Sequence, residues 1–138
     1  MNKTRRLKHL DTLNSMNIPQ NEYVIYGSAP LVIRGLKEKN DDLDVLATDS
    51  LWDKLKMEYP DKLKGDYIDV NGVSFTHRSS DFFGPMDNIM KNSDLIDGYH
   101  IMNLTETMKW KEKTGKEKHL EDAKKIKNYL NNLESKFE

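Results

Sequence analysis

Tyr26-Gly27-Ser28-Ala29-Pro30-Leu31 and, further along, Asp41-Asp42-Leu43-Asp44-Val45-Leu46 are the two stretches that decide how this chain reads. Tyr23-Val24-Ile25-Tyr26 is a short run of strand formers closed by Gly27-Ser28, and Leu43 to Ala47 is a second strand. Side chains alternate along a strand, so Asp42 and Asp44 point to one side while Leu43 and Val45 point to the other. With the apolar pair toward a core, two carboxylates stand side by side on the opposite face. Two like charges that close repel unless something positive lies between them. A hard divalent cation with oxygen ligands, Mg²⁺ or Mn²⁺, meets that need. Ile68-Asp69-Val70 repeats the parity and offers Asp69 as a third carboxylate.

Gly27-Ser28 supplies the complementary half. A glycine after a strand lets the chain turn sharply and approach a ligand closely. Ser28 can donate a hydroxyl to a phosphate. The helix expected from Ala29 to Lys37 would present free N–H groups and a positive dipole end to an anion. Pro30 sits where its missing N–H costs nothing. An anion site and a metal site on neighbouring strand ends together describe a triphosphate held with Mg²⁺.

Working outward, Leu7, Leu10, Leu13 and Met16 recur every three residues and predict an N-terminal helix that ends at Ile18-Pro19. Asp49-Ser50 starts a helix through Glu58. Tyr67 to Val70 and Val73 to Thr76 flank Asn71-Gly72, the pair that accepts the positive φ angles of a tight hairpin. Arg78 to Pro85 reads as a polar loop holding Phe82 and Phe83, and Met86 to Lys91 as a short helix. Tyr99 to Met102 is the last expected strand. A helix capped by Thr105 runs through Lys113 and breaks at Gly115. Leu120, Ala123, Ile126, Lys127, Leu130 and Leu133 trace a long C-terminal helix. The order predicts one α+β domain over residues 1–138: a mixed sheet, helices packed mainly on one face, and a C-terminal helix pair.

The 138 residues suit one domain, and a formal net charge of −1 does not by itself mark a nucleic-acid binder, although Lys3, Arg5, Arg6, Lys8 and the C-terminal lysines keep nucleic acid open as a partner. The absence of cysteine excludes disulfides, thiolate metal sites and a Cys nucleophile. No apolar run reaches the roughly 20 residues that span a bilayer. The basic segment from Met1 to Leu10 lacks the apolar stretch of a signal peptide. A soluble cytoplasmic protein is the expectation.

The two opening stretches resemble the motif of the minimal nucleotidyltransferases, the small bacterial type of the polymerase-beta-like superfamily. Their pattern is an apolar strand, Gly-Ser or Gly-Gly, a helix, then Asp-x-Asp in a second strand, with a third carboxylate on a later one. Where relatives often carry Arg-x-Ser/Thr before the first aspartate, this chain has Lys39-Asn40-Asp41. The C-terminal part is similar too. It has Asp97-Gly98-Tyr99-His100-Ile101-Met102, then Leu104 with Lys109 and Lys111, then Gly115-Lys116-Glu117-Lys118 ending on Asp122. The resemblance covers about residues 22–130. It implies a Mg²⁺-dependent transfer of a nucleoside monophosphate from an NTP to an acceptor on a small molecule, a protein or an RNA. Carried over, Gly27 and Ser28 bind phosphate, Asp42 and Asp44 bind metal, and Asp69 is the third carboxylate, with Asp66 competing for that role. Lys109, Lys111 and Lys116 are candidates for neutralising developing charge. The alternative is a nucleotide- or protein-binding module of the same fold without turnover, antitoxin-like in kind.

Several residues invite other readings. His77 with Arg78, Ser79, Ser80 and Asp81 contains the residue types of a Ser-His-Asp site, but a polar loop after the hairpin fits better. His100 reads as structural. His119 and Asp122 lie one helical turn apart, a spacing that could hold a metal, but a solvated face or a pair with Lys116 is the simpler reading. Lysines between 109 and 127 alternate with acids, as on an exposed helix face.

Overall fold

Tyr23–Tyr26 (β1) and Leu43–Ala47 (β2) pair antiparallel at the centre of the molecule, with Tyr26 opposite Asp44. The computed structural model describes residues 3–77 and 84–136. Five more strands extend the pair: β3 (Leu63–Lys64), β4 (Tyr67–Val70), β5 (Val73–Thr76), β6 (Asp94–Ile96) and β7 (Tyr99–Ile101). They form one seven-stranded mixed sheet in the order β3-β4-β5-β2-β1-β7-β6. β2 runs parallel to β5, and β1 runs parallel to β7. The Asn71-Gly72 turn has positive φ at both residues, as a tight hairpin demands, and joins β4 to β5. Asp97-Gly98 does the same between β6 and β7.

Every residue of β1 is buried, because both faces of the sheet are covered. On one face Tyr23, Ile25, Leu43, Val45 and Ala47 join the larger core with α1 (Leu10–Ser15), α2 (Ala29–Val32) and α3 (Asp49–Glu58). On the other, Val24, Tyr26 and Leu46 meet Met102, α4 (Met86–Asn92) and Trp110 of α5 (Leu104–Thr114). The expected dominance of one face holds for the larger core, and α4 and α5 add a smaller cover opposite. A third cluster of Leu31, Leu104 and Ile126 seats the C-terminal pair, α5 and α6 (Glu117–Lys136), against α2.

The α+β class and most strands match expectation, and the element ends differ for identifiable reasons. α2 stops at Val32 instead of reaching Lys37. Gly35, with φ of 75°, closes it in a Schellman motif: Gly35 N–H bonds to Val32 O at 3.1 Å and Leu36 N–H to Leu31 O at 2.9 Å. Lys37 is thereby turned back toward Ser28. α3 is capped by Thr48, whose hydroxyl accepts from Leu51 N–H, and α5 by Asn103, which accepts from Glu106 N–H. Each cap stands just outside its helix in extended conformation, one or two residues before the position the sequence suggested. β6 escaped notice because its Leu95 is exposed and the alternation is too short to read. Among the described residues no helix is long and apolar enough to cross a membrane. The expected loop with Phe82 and Phe83 lies mostly outside the described residues.

Phe75 lies fully buried on β5, opposite Val45 on one side and Ile68 on the other. Phe75→Ala is expected to cost about 3–5 kcal/mol in urea unfolding. A loss under about 1 kcal/mol would contradict this placement.

Candidate active site

Register sets the site. Tyr26, Asp44, Ser74 and Asp69 are successive partners across β1, β2, β5 and β4, so their side chains share one sheet face. Asp44 stands at the end where β1 gives way to Gly27. A Cβ on Gly27 would lie 2.2 Å from Asp44 Oδ2, and Gly27 has φ of 78°. Only glycine fits there, because the turn and the carboxylate occupy the same space. Asp42 lies just before β2 and is exposed.

Burial first, and the Asp42 charge second, push the Asp44 carboxyl up to about 6. Lys111, Lys118 and Lys37 pull the other way without winning. Two adjacent oxygen-donor carboxylates, one of them held at an unfavourable ionisation, suit a hard cation. Mg²⁺ characteristically takes one or two carboxylates and completes its shell with water and phosphate. Asp42 and Asp44 would hold it. Asp69 is two strands from Asp44, roughly 9–10 Å by strand spacing, with Ser74 between. One Asp69 oxygen also accepts from Gly72 N–H at 3.0 Å. The structure therefore does not bring Asp69 to the pair. Consistent with that spacing, no group of three His, Cys, Asp or Glu suited to a metal occurs among the described residues.

Opposite the carboxylates is an ionic cluster. Lys37 Nζ donates to Ser28 Oγ at 3.1 Å and to Asp122 Oδ2 at 3.0 Å. Lys111 Nζ donates to the same Asp122 oxygen at 3.0 Å. Lys111 is 1% exposed and Asp122 3%. Burial would raise the Asp122 carboxyl, but hydrogen bonds from Lys37 and Lys111 outweigh it and hold the carboxyl low. Burial lowers Lys111 against the pull of Asp122, with the Lys37 charge adding to the descent. Two ammonium groups share this one carboxylate, and their charges also act on the Asp44 carboxyl. Because Ser28 Oγ accepts from Lys37, its own proton remains available for an anion. Beside the cluster opens a cleft of about 360 Å³ lined by Lys37, Lys39, Lys118 and Lys125 with Glu38, Asp41, Glu121 and Asp122.

Lys111 is thus the buried lysine of the three candidates. Lys109 faces solvent and pairs with Glu106 at 3.8 Å, and Lys116 is exposed. α2 has only four residues, too short to offer the helix-dipole anion site expected from the sequence. Lys37 and Asp122 were not foreseen in these roles. Asp122 turns to the two lysines, not to a solvated face or Lys116. His119 Nδ1 meets Thr114 Oγ1 at 2.7 Å, and Thr114 already donates to the Lys111 carbonyl. His119 therefore donates from Nδ1, and burial and the nearby Lys111 lower its pKa. His100 Nδ1 and Ser93 Oγ share a hydrogen bond of 2.9 Å. The His77 ring stacks on Trp52, 4.6 Å between centroids, while Arg78, Ser79, Ser80 and Asp81 lie outside the described residues.

Comparison with protein-family models, with curated proteins and with solved structures gave no match. The site therefore rests on its own geometry.

Asp44 has a raised folded-state pKa, so it favours folding below its unfolded value near 4. That contribution is lost as pH rises through about 6. Asp44→Asn is accordingly expected to be more stable than wild type above pH 6. The gain is on the order of 1–2 kcal/mol after allowance for partial exposure, and the two proteins converge toward pH 4. Chemical denaturation across pH reads this directly. A less stable Asp44→Asn at pH 7.5 would contradict the electrostatic picture.

Proposed function

We propose that this protein is a nucleotidyltransferase that moves a nucleoside monophosphate from an NTP to an acceptor hydroxyl. The observation that carries the reading is the Asp44 carboxylate lodged against Gly27, with the Ser28–Lys37–Asp122–Lys111 cluster beside it. A carboxylate pair with ammonium charge beside it is what a metal-bound triphosphate requires. The resemblance of the Gly-Ser and Asp-x-Asp stretches to minimal nucleotidyltransferases supports the same chemistry.

In this reading Ser28 Oγ donates to a phosphate oxygen. Lys37, placed 3.1 Å from Ser28, contributes its charge to the same anion. Lys111 is too buried to travel, and it fixes Asp122, which in turn fixes Lys37. Lys118 and Lys39 line the open cleft and can hold the leaving pyrophosphate. Mg²⁺ on Asp42 and Asp44, when bound, would neutralise phosphate charge and polarise the reacting phosphoryl group. The acceptor hydroxyl gives up its proton to solvent water as its oxygen forms a bond to the α-phosphorus and the bond from that phosphorus to the oxygen bridging to the β-phosphorus breaks, and pyrophosphate departs with its charge compensated by the lysines.

The distance of Asp69 from the pair favours a second reading, a module that binds nucleotide, or pairs with a protein, without turnover. Thermal unfolding with NTP and Mg²⁺ tests the common ground. Ligand at about 100 times its dissociation constant adds about 2.7 kcal/mol, worth several degrees in a domain of this size. The shift is expected to require Mg²⁺ and to disappear in Asp44→Asn. Absence of any shift with all four NTPs would overturn the transferase and the nucleotide-binding module alike, leaving only the protein-pairing form of the second reading. A shift without label transfer to small-molecule, protein or RNA acceptors would favour the module.

A further inference from the structure

Asp44 is held within β2 by the sheet ladder, but Asp42 is exposed and precedes the strand. Its position depends on what grips its backbone. Three grips meet there. Asn40 is 1% exposed and uses its whole side-chain amide. Oδ1 accepts from Lys8 N–H at 3.0 Å, while Nδ2 donates to the carbonyls of Lys8 and Asp42, each at 3.1 Å. His9 Nε2 donates to the Asp41 carbonyl at 2.9 Å. Leu43 N–H bonds to the Gly72 carbonyl at 2.9 Å.

The strand entrance is therefore fixed at consecutive peptide groups by the N-terminal segment and the β4–β5 turn. These two supports also brace each other. A Cβ on Gly72 would lie 2.4 Å from His9 Nδ1, so the ring lies directly on the turn. His9 itself adopts φ of 70°, a conformation a non-glycine residue keeps only when its surroundings enforce it. Farther along the same segment, buried Thr4 donates from N–H and Oγ1 to Asp97 Oδ2 at 3.0 and 2.9 Å. Residues 4–9 are thus a strap anchored at the β6–β7 turn and ending at the Asp41–Asp42 backbone.

We infer that Asn40, supported by His9, is a positioning residue that holds the Asp42 backbone where its carboxylate can share a divalent cation with Asp44. This rests on the metal role proposed for Asp42 and Asp44. Partners behind metal ligands matter because small displacements of a ligand degrade the site, and their loss typically weakens metal binding about 10–100-fold.

Mn²⁺ alone serves as the probe, with its affinity for the full chain measured by water-proton relaxation at pH 7.5 and folding checked by thermal unfolding. Wild type is expected to bind Mn²⁺ in a manner that Asp44→Asn abolishes. Asn40→Ala, still folded, is expected to bind about ten-fold more weakly, and His9→Ala to lose less in the same direction. Leu55→Val, a core change in α3, is expected to keep wild-type affinity, which separates a local effect from general loosening. Wild-type affinity in folded Asn40→Ala overturns the inference, as does wild-type affinity in His9→Ala should Asn40→Ala fail to fold. Equal weakening in Leu55→Val overturns it too. No Asp44-dependent binding by wild type overturns the metal reading itself and this inference with it.

Discussion

The close approach of Gly27 to the Asp44 carboxylate is the constraint around which the rest of the site is arranged. Antiparallel pairing puts Tyr26 opposite Asp44, so the residue after Tyr26 must either clear the carboxylate or collide with it. Glycine clears it and lets the chain turn into α2. The Schellman closure at Gly35 then reverses the chain and brings Lys37 back to Ser28. One turn thus delivers the hydroxyl, the ammonium group and the carboxylate to a single place. The C-terminal helices supply what the turn cannot, the Asp122 carboxylate that fixes Lys37 and the buried Lys111 that shares it.

This arrangement is expensive in stability. A half-buried carboxylate pushed up to about 6 opposes folding at neutral pH. A buried ion cluster seldom gains more from attraction than it loses in desolvation, yet removing one member leaves an uncompensated charge. Such a cluster is retained for what it specifies. Here it fixes Lys37 beside Ser28 and holds the Lys37 and Lys111 charges where they act on Asp44. Strain at His9 and the fully satisfied amide of Asn40 belong to the same pattern, local structure spent on aiming a backbone.

The strand half of the site could be read from sequence. Alternation around Leu43 and Val45 assigned Asp44 to the opposite sheet face, where the register puts it, and Asn71-Gly72 marked its hairpin, because periods of two and turn chemistry are local properties. The α+β class followed from element order. The lysines were not legible in the same way. Lys109, Lys111 and Lys116 differ only in how α5 and its C-terminal end sit against the rest of the fold, which is a tertiary fact. A trace did exist: Leu104, Thr107 and Lys111 fall on one helical stripe, and all three are buried. Lys37 was hidden because the helix expected from Ala29 to Lys37 ran straight through Gly35, where the chain in fact stops and reverses. Asp69 had the right parity but not the right strand, since parity fixes a face and says nothing about how many strands intervene. The strap from Thr4 to His9 joins residues far apart in sequence, and the period that drew Leu7 into the N-terminal helix concealed it, since the helix starts only at Leu10 after His9.

The most direct measurement is a crystal structure of the chain grown with Mn²⁺ and a non-hydrolysable NTP analogue, with Mn²⁺ located by its anomalous scattering. The expected result is a metal peak between the Asp42 and Asp44 carboxylates, with the triphosphate against Ser28 and Lys37. Nucleotide bound elsewhere on the surface, or seated in the cleft with no metal on these two aspartates, would contradict the assignment.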